Sequence, residues 1–548
     1  MIQKFFNSKI NGITSAAVIV AAASVASRFL GIFRDRILAS EFGAGQILDI
    51  YYAAFRIPDL IFNLLVLGAL SAGFIPVFAE LCQKKFSFEF RCFGKKMCQD
   101  EAWYVANAVL NALGLSLIAI SALGIIFAGP LMRVITPGFS GEAMAVTVAL
   151  TRIMFLSPLF LGVSSVFGGI LQSFKRFFVY SLAPIMYNVG IIIGALYFVP
   201  VWGVHGLAYG VVLGALLHLL VQLPVAFSLG YRWQPVLNLR HPRVREIMSM
   251  MAPRTLSLAI TQINLVVTTV IASTLAAGSL TVFNLANNLQ SFPVGIFGIS
   301  FAIAAFPTLA GYASSRNMLI KNFSEVLRQI IFFILPATVL LLTLRAQIIR
   351  VILGAGSFSW EDTILTIDTL TYFSLSLFAQ AALPLLTRMF YVQKNSQTPF
   401  FVGCGAAVVN VVLSWYFARH FGVSGLALAF SVANIINFAL LWLILKIDLG
   451  DLDEVRILLS TLKISLASIG AGVAVQAMKF AISPYIDMTR FWGVFTQGAA
   501  AGLVGIGIFL LLAWVVRSEE LEHLVSSVTG RKKRETVATE GREEAGGI

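Results

Sequence analysis

The stretch SRFLGIFRD, residues 27–35, puts Arg28, Arg34 and Asp35 at the end of a run of Ala, Val and Ile suited to lipid. At about 100° per residue, Arg28 and Asp35 share a helix face and Arg34 lies roughly 120° from it. Other apolar runs carry Asp49, Arg56 and Asp59, then Arg254 just after Pro253, and Arg388 four residues after Pro384. A charge at the bilayer centre costs about 2.5–3.5 kcal/mol on insertion scales, so such residues face a bundle interior or a water-filled cavity. Guanidinium groups bind phosphate oxygens through paired, charge-assisted hydrogen bonds, so several arginines in apolar runs predict an anionic ligand. Gly31 is placed to bend the segment and bring both first-run arginines to one cavity. The plainer reading is an Arg28–Asp35 structural contact, which leaves Arg34 without a role. Snorkelling to headgroups suits Arg152 and Lys463, near predicted helix ends, and Arg36 reads as an interface anchor.

The elements that must position these groups are spanning helices. The chain has 548 residues, 58% of them hydrophobic and only 12% charged, against about 25% charged in soluble domains. Its mean hydropathy is +0.87. About fourteen runs reach the roughly 20 residues a span needs, near 13–39, 48–80, 103–128, 145–173, 178–199, 204–229, 246–276, 280–312, 321–344, 362–392, 399–418, 423–446, 457–481 and 491–516. The net charge of +13 sits in short connections rather than on a soluble face, which argues against nucleic acid. With a cytoplasmic N-terminus, about 25 of the 39 Lys and Arg fall on the cytoplasmic side, which places both termini there. ASVAS (23–27) looks like a signal-peptidase site, but the apolar run continues to Leu38, so an uncleaved first helix is expected. Cys82, Cys92 and Cys98 share a polar loop and Cys404 lies in an apolar run, a pattern of free thiols.

Two halves are legible. WGVHGLAYG (202–210) parallels FGVSGLALA (421–429) at an offset of 219, Asn188 parallels Asn410, and FIPVFAE (74–80) parallels AFPTLAG (305–311), Pro76 against Pro307. The fold class expected is an all-α polytopic membrane protein of two six-helix lobes related by an axis along the membrane normal, plus two C-terminal helices. The divisions are 1–229 (N-lobe), 230–447 (C-lobe), 448–516 (two helices walling a lipid-tail groove) and 517–548, a disordered cytoplasmic tail whose Arg531–Arg534 cluster suits anionic headgroups or plain solubility.

Enzyme chemistry has little support. His205, His218, His241, His420 and His523 make no HExxH or other close metal pair, no GxxxxGK[ST] loop occurs, and paired carboxylates are missing from the apolar runs. No cofactor or metal is expected. Rival readings are a drug or other lipid-oligosaccharide exporter, a non-transporting membrane scaffold, and, disfavoured by the lack of an acid-rich loop, a membrane glycosyltransferase.

SRFLGIFRD, the stretch FGAGQILDIYYAAFRIPDLIFNLLVLGALSAGFIPVFAE, TPGF (136–139), NNLQSFPVGIFGISFAIAAFPTL (287–309) and FYVQKNSQTP (390–399) resemble the MurJ/MviN family of lipid II flippases over nearly all the chain to about residue 517. The resemblance implies a fourteen-helix member of the multidrug/oligosaccharidyl-lipid/polysaccharide exporter superfamily in the bacterial inner membrane. It implies transport of the undecaprenyl-pyrophosphate-linked peptidoglycan precursor to the outer leaflet, with lipid II as substrate, membrane lipids around it and cell-wall synthesis proteins as partners. By position it makes Arg28 and Arg34 the arginines that engage pyrophosphate, Asp35 the acid that follows them, and Asp49 an important acid opening the second helix. This chain departs from the family at Phe62 and near Asn288, where other members often carry Arg; Arg56 and Arg254 are the cations placed to compensate, with Arg388 and Asn288 kept as further site residues. Asn410 matches one ligand of a sodium site found in some members, but Ser414 stands where an acid is expected, and no sodium site is assigned.

Overall fold

In hydrocarbon a backbone must satisfy its own hydrogen bonds, and the apolar runs do so as helices. The computed structural model describes residues 13–67, 73–84, 87–92 and 95–529. Among them, nine helices are long and apolar enough to cross a membrane, or ten if Trp360–Ser374 and Leu377–Val392, bent by 43°, form one span. The 53-residue helix Gln397–Leu449 is counted once there but is two helices meeting at Gly422. The remaining expected spans are also helical: Ile13–Phe42 is continuous through Gly31, Gln46–Phe62 leads through a π-helical turn to Leu67, and Pro242–Ser273 carries an apolar stretch from Leu258. Gly31 therefore introduces no break in the first helix.

Two local expectations change. Of the polar loop of the cysteines, Cys82 lies in the last turn of helix Ile75–Lys84, and Cys92 and Cys98 lie in an antiparallel hairpin, Ser87–Cys92 against Lys95–Asp100. Cys82 and Cys404 are free thiols; the side chains of Cys92 and Cys98 lie outside the described residues. The tail expected to be disordered from 517 opens with a helix, Glu519–Thr529, while residues 530–548, with the Arg531–Arg534 cluster, lie outside the described residues.

The internal repeat extends to backbone geometry. Gly203 and Gly422, offset by 219, share φ 58° with ψ −148° and −138°, a region open essentially to glycine alone. Lys175 and Lys394, also offset by 219, both have φ 59°. The π-helical turns Asn63–Leu67 and Val294–Ile299 begin 231 residues apart, the same offset as Pro76 and Pro307.

By internal packing the chain forms two compact units. The first comprises the described residues up to Leu285 with Ile352–Asp362 and Val411–Leu426; the second comprises Ala286–Val351, Thr363–Asn410 and the described residues from Ala427 onward. Helix Pro242–Ser273, which opens the second half in sequence, packs within the first unit.

In the first unit, Phe74, Phe78, Trp103, Phe174 and Tyr231 form an aromatic core, with Phe74 and Phe78 ring centres 5.2 Å apart. Helices Phe177–Trp202 and His205–Ser228 approach so closely at Gly190–Gly214 and Gly194–Gly210 that a Cβ would overlap the opposite backbone, as small-residue contacts between membrane helices permit. The segment after Ser228 lies along helix Glu101–Ile126. Asn107 Nδ2 donates to the Arg232 carbonyl (3.0 Å), Asn111 Nδ2 donates to those of Gln234 and Val236 (2.6 and 2.9 Å), and Asn238 Nδ2 donates to the Tyr104 hydroxyl.

In the second unit, helices Glu454–Ile482 and Phe491–Val515 pair with each other and with Arg316–Thr343, burying Phe332, Ile464, Ala471 and Phe509. Their outer faces leave Leu462, Leu466, Val473 and Leu503 exposed, as lipid-facing helices do. Buried Arg328 is held by Glu519 and Glu520 (2.9 and 2.6 Å), and Glu520 also accepts from Ser460 and Ser518.

Candidate substrate site

The first helix delivers its charges in a defined order. Arg34 donates from Nε and Nη2 to Asp35 Oδ1 (3.0 and 2.7 Å) and from Nη1 to Asn188 Oδ1 (3.1 Å), an asparagine of helix Phe177–Ile193. Asn188 is itself fixed, its Nδ2 donating to the Pro184 carbonyl at 3.0 Å. A guanidinium has five N–H donors, so these bonds leave two of the Arg34 donors for a ligand. The Asp35 side chain is 7% exposed and that of Arg34 21%. Asp35 thus pairs with Arg34 and not with its helical-face neighbour Arg28. Arg28, half-buried, makes no ion pair or side-chain hydrogen bond among the described residues, so its charge is uncompensated there. Arg36 donates to the Ile352 carbonyl at 3.4 Å, a contact to protein rather than a simple interface anchor.

The hydroxyls of Tyr52 and Tyr187 are buried with no hydrogen-bond partner among the described groups. Tyr51 packs edge-on against Tyr52 with ring centres 5.3 Å apart. Orphaned buried hydroxyls are rare in finished packing and mark a place where a polar ligand or solvent completes the network.

The second helix carries two groups with distinct partners. Asp49, 3% exposed, accepts from the Gly278 and Thr281 amides (2.7 and 2.8 Å) and from the Thr281 hydroxyl (2.7 Å). A carboxylate there complements the positive end of helix Ser279–Pro293. Arg56 donates from Nε to Thr269 Oγ1 (2.8 Å) and from Nη2 to Asn284 Oδ1 (3.2 Å). Beyond it, Thr255 donates to the Leu64 carbonyl in the π-helical turn. Thr255 follows Arg254, whose side chain lies outside the described residues. Asn288 belongs to the second unit, where its carbonyl accepts from Ser291. Arg388 is also in the second unit, in helix Leu377–Val392. Arg152 is exposed and donates to the Ile125 carbonyl, and Lys463 is exposed.

The structure thus brings Arg34 together with Asp35, and it gives Asp49 and Arg56 separate polar partners in the first unit. Asn188, Thr281, Thr269 and Asn284 join the site as polar partners that no local sequence pattern marks; of them, only Asn188 is legible from sequence, as a repeat position. Among the described residues, no group of three or more His, Cys, Asp or Glu could hold a metal ion.

Residues 38–496 match the family model described as lipid II flippase MurJ. The chain belongs to that family. The MurJ family is one of transporters. Similar proteins include the lipid II flippase MurJ of Burkholderia cenocepacia, 27% identical with 79% of this chain and 83% of that one covered. The probable lipid II flippase MurJ of Thermotoga maritima is 28% identical, with coverage of 91% and 96%. In fold, a solved lipid II flippase MurJ in an inward closed conformation is similar with TM-score 0.73 at 24% identity, covering 91% of this chain and 98% of that one. An inward-facing multidrug resistance MATE transporter of the MOP superfamily is similar with TM-score 0.64 at 17% identity, covering 78% and 96%. A MurJ-family chain with this many apolar helices is a multi-pass inner-membrane protein.

Proposed function

We propose that this chain flips lipid II from the inner to the outer leaflet by alternating access, with Arg28 and Arg34 holding the pyrophosphate. The observation that carries the site assignment is the state of the two arginines on one helix. Arg34 is oriented by Asp35 and Asn188 with donors to spare, and Arg28 has no partner among the described residues. Pairing with Asp35 offsets the cost of keeping Arg34 charged in the absence of ligand, while Arg28 supplies the net attraction. Arg56 and Arg254 extend the cationic path within the first unit.

Asp49 serves the moving part of the cycle. Its three accepted bonds tie the start of the second helix to the start of helix Ser279–Pro293, and a rearrangement that separates them must exchange those bonds for others. No nucleotide-binding loop is present in the sequence, so the drive is a gradient, the membrane potential or product removal. An inside-negative potential favours outward transfer of an anion by about 2.3 kcal/mol per charge per 100 mV. Both termini are cytoplasmic in this reading, helices Glu454–Ile482 and Phe491–Val515 wall the lipid-tail groove, and cell-wall synthesis proteins are the partners.

The test is lipid II accessibility at the outer leaflet in cells depleted of their native flippase. This protein should restore it, and Arg28→Ala and Arg34→Ala should not. A folded wild-type protein that leaves the precursor in the inner leaflet sinks the proposal; full activity of both alanine variants removes the arginines from it.

A further inference from the structure

The second unit contains a cleft of about 430 Å³ whose lining combines one cation with neutral acceptors. Gln380, Thr387, Arg388 and Tyr391 fall on one face of helix Leu377–Val392. Asn434 enters from helix Gln397–Leu449, and the apolar side includes Val294 at the start of the π-helical turn Val294–Ile299. π-Helical turns inside longer helices occur often at functional sites.

Arg388 is half-buried, and among the described residues it has no carboxylate partner. Its hydrogen bond is a long one, 3.4 Å from Nη1 to the Pro384 carbonyl of its own helix. Its other four N–H donors have no partner among the described residues. The two amides are oriented the other way. Gln380 Nε2 donates to Ser376 Oγ (2.9 Å) and Asn434 Nδ2 to the Phe430 carbonyl (2.8 Å), so each amide keeps its oxygen as an acceptor and one N–H donor.

That mixture selects among anions. A pyrophosphate offers only acceptor oxygens and several negative charges, so it would leave both amide oxygens without a donor and meet a single guanidinium. A peptide carries a carboxylate for the guanidinium and N–H donors for the amide oxygens. We propose that the Arg388 cleft is a subsite for the peptide of the transported precursor, with Arg388 binding a peptide carboxylate and Gln380 and Asn434 accepting from peptide N–H groups. The assignment rests on the lipid II reading above.

Equilibrium binding of two probes to the full-length protein in nanodiscs tests it: lipid II, and undecaprenyl pyrophosphate, which lacks sugar and peptide. Arg388→Gln should weaken lipid II about tenfold and leave undecaprenyl pyrophosphate unchanged, and that retained binding shows the variant is folded. Lipid II with its peptide carboxylates amidated should bind the wild type as weakly as unmodified lipid II binds Arg388→Gln. Asn434→Leu should weaken lipid II and spare undecaprenyl pyrophosphate. Equal weakening of both probes by Arg388→Gln, or of neither, overturns the peptide subsite. Failure of the pyrophosphate reading has a separate signature, unchanged binding of undecaprenyl pyrophosphate to Arg28→Gln.

Discussion

Asn188 Oδ1 lies 3.1 Å from Arg34 Nη1, although the two residues stand 154 positions apart in the chain. Asp35 fixes one edge of the guanidinium and Asn188 the other, so the plane of the group is set before any ligand arrives. Asn188→Leu removes the second support at similar volume. A hydrogen bond to a charged group contributes about 1.5–3 kcal/mol, and we expect roughly a tenfold loss of undecaprenyl pyrophosphate affinity. Thermal stability should change less than binding. Unchanged affinity in a binding titration would show that Asp35 alone orients Arg34.

Asp49 and Thr281 make a linked pair of tests. Thr281→Val removes one of three bonds accepted by the Asp49 carboxylate and is expected to cost about 1 kcal/mol. Asp49→Asn keeps the volume, removes the charge and misaligns a donor, at an expected cost of about 2 kcal/mol. The double variant should cost less than the sum, because the two side chains share a bond. Thermal denaturation in one detergent, followed as a double-mutant cycle, measures the coupling; strict additivity would mean the contact carries no energy.

Gly203 and Gly422 should respond alike to substitution. A Cβ at either position meets nothing within 4 Å, so space is not the obstacle. The obstacle is the shared positive φ, and Gly203→Ala and Gly422→Ala should each destabilise by about 1–3 kcal/mol. Thermal melting of the two variants checks the equivalence. A neutral effect at one position alone would break it.

Docking of helix Glu519–Thr529 should depend on pH. Glu519 is held below the usual glutamate range chiefly by its hydrogen bond from Arg456. Burial pushes Glu520 upward, but bonds from Ser518 and Ser460 and the charge of Arg328 outweigh it, and its pKa is also lowered. A depressed folded pKa means that the stabilisation is present above the unfolded value, about 4.3, and is lost as pH falls through the lower folded value. A spin label at Ser526 should therefore stay immobilised through pH 5 and gain mobility only in stronger acid. Glu520→Ala, which strips a partner from buried Arg328, should mobilise it at pH 7 at a cost of about 3 kcal/mol. A label equally mobile at pH 7 in wild type and variant would contradict the docked geometry.

The helices were readable from run length because the bilayer imposes a length that few other environments demand. The repeat was readable from Gly203 and Gly422 because a positive φ restricts the residue type on the chain itself. Pairing was harder. A helical wheel puts Asp35 beside Arg28, yet the Arg34 side chain is long enough to reach the adjacent carboxylate, and Asn188 draws it to that side. The partners of Asp49 lie 229 and 232 residues away, and nothing local to the second helix announces them. The π-helical turns left no periodic mark either, since one extra residue per turn is hidden inside a uniformly apolar run.

The strap after Ser228 sets a mechanical limit on the molecule. Asn107 and Asn111 clamp its carbonyls to helix Glu101–Ile126 just before the chain enters helix Pro242–Ser273. The passage from the first half of the sequence to the second therefore has almost no slack. It behaves as a short tether, and any stroke of helix Pro242–Ser273 must either carry helix Glu101–Ile126 with it or unfasten two asparagines first.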